Sequence, residues 1–268
     1  MLDGLRRTLR DKLLHVVQEV VDRHHAEHLR AMRQEIAELR QHLTAETNRM
    51  IESVRELEHR ARRDLPFAGE MRAALDSARF AEEHMTSARQ FDSPHVTLKH
   101  ALSLAPTGGM ALEFGVYTGT TLAIIADGRG GDVYGFDSFQ GLPTAWRPGF
   151  PEGMFGVQGL PEVPGTELVV GLFADVLPGF LADHPGPVDL LHVDCDLYES
   201  TVTVLDLVGP RLRPGSIIVF DEYFNYPSWE RHEYRAWMEY VERTGVTFEY
   251  EGYTVDNEQV IVRVTGTP

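Results

Sequence analysis

Short apolar runs recur from residue 110 onward, and stretches of helical or loop character separate most of them. The runs are Met110–Val116, Asp132–Phe136, Glu167–Val170, Val188–Val193, Ser216–Phe220, Thr247–Tyr250 and Gln259–Val264. Alternation of apolar strands with helices predicts an α/β fold with a mostly parallel seven-stranded sheet and helices on both faces. Because ligands of such sheets bind beyond the carboxyl ends of the strands, we expect the functional residues directly after each run.

A long N-terminal arm precedes this pattern. Up to residue 62 the chain contains no proline and one glycine, Gly4, and it is dense in charge, which predicts a helix. Apolar residues from Leu29 to Leu43 are spaced alternately by three and four positions, and Glu46 interrupts this heptad seam. A stripe this narrow favours a homo-oligomer held by a coiled coil; a long helix packed along its own domain is the alternative.

Proline residues mark the next boundaries. Pro66 is predicted to end the arm, a helix is predicted over residues 69–90, and Pro94 is a good start for a helix that runs to Leu104. The predicted domains are a helical or coiled-coil arm over residues 1–65, a helical cap or lid over 66–107 and a ligand-binding domain over 108–268.

Charge and composition limit the partners. The net charge is −16, and residues 66–268 carry 29 acidic against 12 basic side chains, so this part repels nucleic acid and anionic lipid. No apolar run approaches the roughly 18 residues that a membrane span needs. Without a visible secretory signal, and with Cys195 as the single cysteine, the chain is predicted to be cytoplasmic.

Two glycines follow the first strand, in the segment from Glu113 to Gly119. Gly115 is expected to let the backbone approach a ligand closely, and Gly119 permits the turn into the next helix. The spacing lacks the middle glycine of the dinucleotide fingerprint and the lysine of a phosphate loop. Glu113 would repel a pyrophosphate and suits a ligand with a positive or hydrogen-bond-donating group. A tight strand–helix junction without a ligand is the alternative.

The second and third strands also end in polar residues. Asp137 lies 22 residues beyond Gly115 and can accept two hydrogen bonds from ribose hydroxyls, whereas capping of the next turn is the alternative. Together with the glycine turn, this favours an adenosine-type ligand without a pyrophosphate. Phe173 could flank an adenine and Asp175 could accept from its amine, although a core phenylalanine and a helix cap explain them equally well.

Four carboxylates follow the fourth and fifth strands: Asp194, Asp196, Asp221 and Glu222. Such groups repel each other unless a positive charge lies among them, and a divalent cation with oxygen ligands, such as Mg²⁺, is the natural neutraliser. Helix capping by Asp196 ahead of Ser200, with the other acids solvated, is the alternative.

These motifs resemble a known enzyme family. Leu112–Gly119, Gly135–Pro143, His192–Thr201 and Phe220–Tyr223 are similar to the corresponding stretches of class I S-adenosylmethionine-dependent methyltransferases of the macrocin O-methyltransferase type, which includes the novobiocin-sugar enzyme. The resemblance implies a Rossmann-like fold. It places Glu113 and Gly115 beside the methionine part and Asp137 at the ribose, with metal ligands at Asp194, Asp221 and Glu222 and Asp196 as general base. The predicted cofactor-binding set is Glu113, Gly115, Tyr117, Gly119, Asp137, Ser138 and Asp175.

The predicted function is therefore Mg²⁺-assisted methyl transfer from S-adenosylmethionine to a hydroxyl of a sugar or glycosylated natural product. One departure from the family is Glu222, because the family commonly has two aspartates after this strand. The aromatic stretch from Tyr223 to Trp229 could line an acceptor pocket or form a packed connection. The rival interpretations are a metal-independent methyltransferase and a non-catalytic cofactor-binding scaffold that oligomerises through the arm.

Overall fold

The computed structural model describes residues 2–267 of the chain, with side chains from residue 6 onward. The chain divides into two compact units, one ending at Ala68 and one beginning at Gly69. None of the described helices combines the length and the hydropathy that a membrane crossing requires.

The first unit is dominated by one helix, α1, which spans Leu2–Arg63 and so confirms the predicted helical arm. The side chains of its heptad seam, from Leu29 to Leu43, are 40–63% exposed. The next helix, α2, begins at Leu65, and the Asp64 carboxylate accepts a hydrogen bond from the Phe67 amide. Pro66 therefore lies in the first turn of α2, where its missing N–H costs nothing, and does not end the arm.

The second unit contains the sheet and its flanking helices. The helices are α2 (Leu65–His84, from Gly69 onward in this unit), α3 (Pro94–Leu104), α4 (Thr120–Arg129), α5 (Phe173–Asp183), α6 (Tyr198–Val208) and α7 (Glu233–Thr244). The strands are β1 (Arg89–Phe91), β2 (Met110–Phe114), β3 (Val133–Asp137), β4 (Glu167–Val170), β5 (Val188–Val193), β6 (Leu212–Phe220), β7 (Thr247–Thr254) and β8 (Val260–Gly266).

The eight strands form one sheet in the order β1-β7-β8-β6-β5-β2-β3-β4. Strand β8 is antiparallel to β6 and β7, and the other pairs are parallel. The mostly parallel sheet is confirmed, with one strand more than predicted. Arg89 and Gln90, which the sequence placed at the end of a helix, pair with β7 instead, as part of β1. This hydrogen bonding makes the segment around β1 part of the sheet and not a lid above it.

Alternate residues of the central strands fill two separate cores. Leu112 and Phe114 face the core shared with α2, α5, α6 and α7, whereas Ala111 faces the core shared with α3 and α4. Both faces of the central strands are therefore buried, which explains their continuous apolar runs. Strand β2 lies between β3 and β5, so the chain reverses its direction of winding there and opens a crevice at the carboxyl edge.

A buried ion cluster closes the opposite edge of the sheet. Asp189, at the amino end of β5, is fully buried and accepts hydrogen bonds from Arg213 Nη2 (2.6 Å), the Gly109 amide (2.6 Å) and Arg129 Nη2 (3.1 Å). Burial would raise the pKa of Asp189, but the bonds from Arg213, Gly109 and Arg129 outweigh it and lower the pKa.

We expect Asp189→Asn to lower the free energy of unfolding by roughly 3–5 kcal/mol at pH 7, because the variant leaves Arg129 buried without its counter-charge. A carboxylate with a lowered pKa stabilises the folded state above its unfolded pKa and ceases to do so as the pH falls through its folded pKa. The difference between variant and wild type should therefore shrink below about pH 4. Denaturant titrations of variant and wild type at pH 7 and below about pH 4 measure this difference in unfolding free energy. Asp183→Asn, an exposed position, is the control.

Candidate active site

A cavity of about 410 Å³ opens at the carboxyl ends of β2 to β6, where the sequence placed the ligand. Seven of the predicted site residues line it: Gly115, Tyr117, Asp137, Ser138, Asp194, Asp196 and Glu222. Four others, Glu113, Gly119, Asp175 and Asp221, are outside this lining. Asp175 is exposed in the first turn of α5, where its neighbours Leu172, Phe173 and Ala174 contribute to the wall instead.

The two glycines of the first turn are required by protein packing. Gly115 has a φ of 92°, and a Cβ at this position would lie 1.6 Å from the Asp194 carbonyl oxygen. Gly119 has a φ of 81°, and a Cβ there would lie 2.6 Å from the Val163 side chain. The close approach predicted at Gly115 is thus an approach of the neighbouring strand end, although Gly115 also borders the cavity.

Asp137 organises the same turn. Its Oδ2 accepts hydrogen bonds from the amides of Val116 and Tyr117, both at 2.9 Å, and its Oδ1 accepts one from the Phe139 amide at 2.7 Å. The carboxylate therefore joins the turn after β2 to the turn after β3. The capping role is present, and since a carboxylate offers about four acceptor positions, one remains for a ligand hydroxyl.

Left-handed backbone conformations concentrate around the cavity. Tyr117 (φ 48°), Phe155 (φ 67°) and Asp196 (φ 61°) all line it, and the rings of Tyr117 and Phe155 meet edge to face with centroids 5.6 Å apart. Non-glycine residues adopt this conformation at a cost, and such residues concentrate at functional sites. Asp196, three residues beyond the end of strand β5, is only 7% exposed and lies beside the cavity.

Glu113 has a different partner from the one predicted. Its side chain is fully buried, and its Oε1 lies 2.8 Å from Nδ1 of His192 on the adjacent strand β5. His192 Nε2 lies 3.5 Å from Asp221 Oδ1. Burial alone would lower the pKa of His192, but the carboxylates of Asp221 and Glu113 raise it well above its usual range. Glu113 thus orients a histidine and does not face the cavity.

The remaining acids are crowded. Burial, and next the charge of Asp221, raise the pKa of Asp194 and of Glu222 well above the usual range. Burial likewise raises the pKa of Asp196 to about 7, against the opposing charge of Arg147. The pKa of Asp221 is lowered because the hydrogen bond and charge of His192 outweigh its burial. The cluster therefore holds more carboxylates than the cations among its described neighbours balance.

Four residues next to the carboxylates were not predicted as site residues from the sequence. His192 and Gln259 both contact Asp221, Arg147 influences Asp196, and Glu233 Oε2 accepts a hydrogen bond from the Glu222 amide at 2.9 Å. Only His192 carried a signal, since it is a polar residue inside the apolar run Val188–Val193. The other three are distant in sequence from the acids that they influence or contact. Arg147 lies in the loop between β3 and β4, Glu233 begins α7, and Gln259 directly precedes β8.

The aromatic stretch after β6 is packed. Tyr223, Phe224, Tyr226 and Trp229 are at most 4% exposed and belong to the core on the α5–α7 face. The packed-connection interpretation therefore holds. The loop between β3 and β4 supplies the aromatic and apolar wall of the cavity instead, through Leu142, Pro143 and Phe155.

The segment that contains this site is similar to known proteins. A family model described as a methyltransferase domain matches residues 112–223, which include the ends of β2, β3, β5 and β6. Over this segment the chain is similar to methyltransferase domains. The predicted resemblance to class I methyltransferases and the predicted fold are therefore confirmed.

Individual relatives agree with this assignment. A Streptomyces olivaceus protein named 8-demethyl-8-(2,3-dimethoxy-alpha-L-rhamnosyl)-tetracenomycin-C 4'-O-methyltransferase is 42% identical over 53 residues. The match spans 20% of this chain and 19% of that protein. The crystal structure of CalS11, a calicheamicin methyltransferase, has a TM-score of 0.50 and 26% identity over 63% of this chain and 76% of that one. The O-methyltransferase NovP shares the fold, with a TM-score of 0.50 and 22% identity over 64% and 79% of the two chains.

We expect Asp196→Asn to raise the free energy of unfolding of this domain by about 1–4 kcal/mol at pH 8 in EDTA. A carboxyl group with a raised pKa costs stability as the pH rises from its unfolded pKa to its folded pKa of about 7, and the amide does not carry this cost. The gain should therefore be smaller at pH 5. Thermal melts at both pH values measure it, with Asp256→Asn, an exposed position, as control. An Asn variant less stable than wild type at pH 8 would contradict the assigned crowding.

Proposed function

We propose that the chain is an S-adenosylmethionine-dependent O-methyltransferase that acts on a hydroxyl of a sugar or glycosylated small molecule, with assistance from a divalent cation. The observation that carries the proposal is Asp196. It is a buried carboxyl group with a pKa of about 7, in a left-handed conformation, on the wall of a cavity that the glycine turn also borders.

The part of the cavity that Asp137 and the start of α5 line suits an adenosine ligand. Asp137 lines it with acceptor capacity left over, and Leu172, Phe173 and Ala174 provide an apolar wall at the start of α5. A volume of about 410 Å³ lies within the range of small-molecule sites. In this proposal Asp137 binds the ribose hydroxyls while its amide partners keep the turn in place. Tyr117 and Ser138 are the other proposed contacts.

Asp196 is the proposed general base. A base works best when its pKa lies near the operating pH, because it is then both unprotonated and basic enough to accept a proton. Asp196 would take the proton from the acceptor hydroxyl as the oxygen attacks the methyl carbon. The charge of Arg147 keeps the pKa of Asp196 from rising further, so this arginine tunes the base from outside the cavity lining.

The neighbouring acids suit a divalent cation. Asp194 and Glu222 line the cavity, and carboxylate oxygens of Asp194 and Asp221 lie within 4.8 Å of each other. Glu222 Oε2 is buried without a hydrogen-bond partner among the described residues. An unsatisfied buried carboxylate oxygen is costly unless it binds a positive group. We propose Asp194, Asp221 and Glu222 as ligands. The chemistry that a divalent cation supplies there is polarisation of the acceptor hydroxyl, which lowers the pKa of that hydroxyl.

The acceptor class is inferred from the relatives. The curated relative is named for methylation of a rhamnosyl 4'-hydroxyl, and CalS11 is named as a calicheamicin methyltransferase. Because the first match spans about a fifth of each chain, substrate class does not transfer on that likeness alone. Asp196 at the cavity wall supports the hydroxyl as the acceptor group, since deprotonation of a hydroxyl needs a base there.

Methyl transfer to a panel of glycosylated acceptors, with Mg²⁺ or with EDTA, tests the function. We expect turnover with Mg²⁺, and we expect Asp196→Asn to reduce it by roughly 10²–10⁴-fold because the amide cannot accept the proton. Asp256→Asn, which is exposed, should match wild type. Undiminished turnover in EDTA would favour the metal-independent rival. A chain that gains no thermal stability from S-adenosylhomocysteine would contradict the proposal as a whole.

We further propose that α1 pairs with α1 of a second copy in a parallel coiled coil. Leu29, Ile36 and Leu43 alternate with Met32 and Leu39 along the exposed seam. Glu35 and Arg40 flank this seam at positions that face each other between parallel helices. In an antiparallel pair the flank that carries Arg33 and Arg40 would instead face itself, and like charges would repel.

Charge reversal tests the pairing. We expect Glu35→Arg to weaken the dimer and the double variant Glu35→Arg/Arg40→Glu to restore it, because the double variant exchanges the two charges without removing their attraction. Analytical ultracentrifugation of the full chain measures the dissociation constant. Glu38→Arg, on the outer face of the helix, is the control. A monomeric wild-type chain, or a double variant whose dimer is weaker than that of Glu35→Arg, would contradict the parallel arrangement.

A further inference from the structure

The histidine at the end of β5 is held in an unusual setting. His192 is 1% exposed, its Nδ1 lies 2.8 Å from Glu113 Oε1, and its Nε2 lies 3.5 Å from Asp221 Oδ1. The first distance fits a charge-assisted hydrogen bond in which Nδ1–H donates to Glu113. The second distance is longer than the roughly 2.7–2.9 Å of such a bond.

Nε2 therefore faces a carboxylate oxygen at a distance at which a direct hydrogen bond is long and weak. Two ligands that are each about 2.1 Å from one metal ion stand roughly 3.0–3.5 Å apart, which agrees with the observed separation of 3.5 Å. Ligand atoms of His192, Asp194 and Asp221 all lie within 4.8 Å of one another. A histidine that binds metal through one nitrogen commonly donates the other N–H to a carboxylate, which is the role Glu113 has here.

Glu222 supplies an independent indication of a ligand. Its side chain is 8% exposed and lines the same cavity as Asp194, and its Oε2 has no hydrogen-bond partner within the described part of the chain. A buried carboxylate oxygen without a donor favours a cation nearby. Glu222 could thus supply a fourth ligand, and a third oxygen, beside His192, Asp194 and Asp221.

We propose that His192 is a nitrogen ligand of the cation site, oriented by Glu113, and that the site is therefore selective for a first-row transition ion over Mg²⁺. This inference rests on the proposed function only in placing a cation at the acid cluster. Mg²⁺ favours oxygen ligands, whereas imidazole suits Mn²⁺, Fe²⁺, Co²⁺, Ni²⁺ and Zn²⁺. Glu113, which does not line the cavity, acts as a positioning residue for this ligand.

The test uses Mn²⁺ as the probe on the full chain, without substrate. Electron spin-echo envelope modulation of the bound ion detects a directly bonded ¹⁴N nucleus. We expect nitrogen coupling in the wild type and in His184→Gln, a control histidine at the end of α5, and no coupling in His192→Gln. Glu113→Gln should keep the coupling and weaken Mn²⁺ binding by roughly 10–100-fold, as loss of an orienting partner does. Calorimetric titration should give tighter binding of Mn²⁺ than of Mg²⁺.

The wild-type spectrum decides the matter even if His192→Gln fails to fold. Bound Mn²⁺ without nitrogen coupling would overturn the proposal, because carboxylates alone would then hold the ion and His192 would only donate to Asp221. Coupling that survives in His192→Gln would also overturn it. Absence of Mn²⁺ binding would overturn it together with the metal-assisted step. The methyl-transfer assay in EDTA would then report separately on whether the chain is a methyltransferase.

Discussion

The pairing of Glu113 with His192 is the interaction on which the site depends. Both side chains lie inside the sheet, on adjacent strands whose register places them opposite each other. A buried carboxylate without a cation would be strongly unfavourable there, and so would a buried imidazolium without an acid. Their contact lets β2 and β5 remain fully buried while His192 Nε2 reaches the acids at the carboxyl edge. The chemistry of that edge is therefore anchored from within the core.

The carboxyl edge is stabilised less well than the rest of the fold. At the amino edge, the buried carboxylate of Asp189 accepts hydrogen bonds from two arginines and a backbone amide. Within the described part of the chain, Asp194, Asp196 and Glu222 have no such set of donors, and burial raises their pKa values. Stability is thus lower where we propose that a proton is taken up and a cation is bound. Functional sites commonly retain groups that oppose folding in this way.

Most of the fold could be predicted because apolar runs buried on both faces leave a clear signal. The bounds of β4, β5 and α3 agree with the predicted runs, since each is flanked by glycine, proline or aspartate. Strand β1 could not be predicted, because the three residues Arg89–Phe91 gain their strand conformation only by pairing with β7, more than 150 positions away in the chain. A segment this short carries no periodicity of its own.

For the site, the sequence by itself determined which acids follow the strands, and parallel strands bring such acids to one edge whatever the details. It did not determine what each residue touches. Gly115 is required by a carbonyl of the next strand, and Glu113 pairs with His192. These contacts depend on register between strands about 80 positions apart, where a slip of one residue would turn every side chain to the other face. Only the tertiary structure sets that register, because the two cores on either side of the sheet must be filled at once.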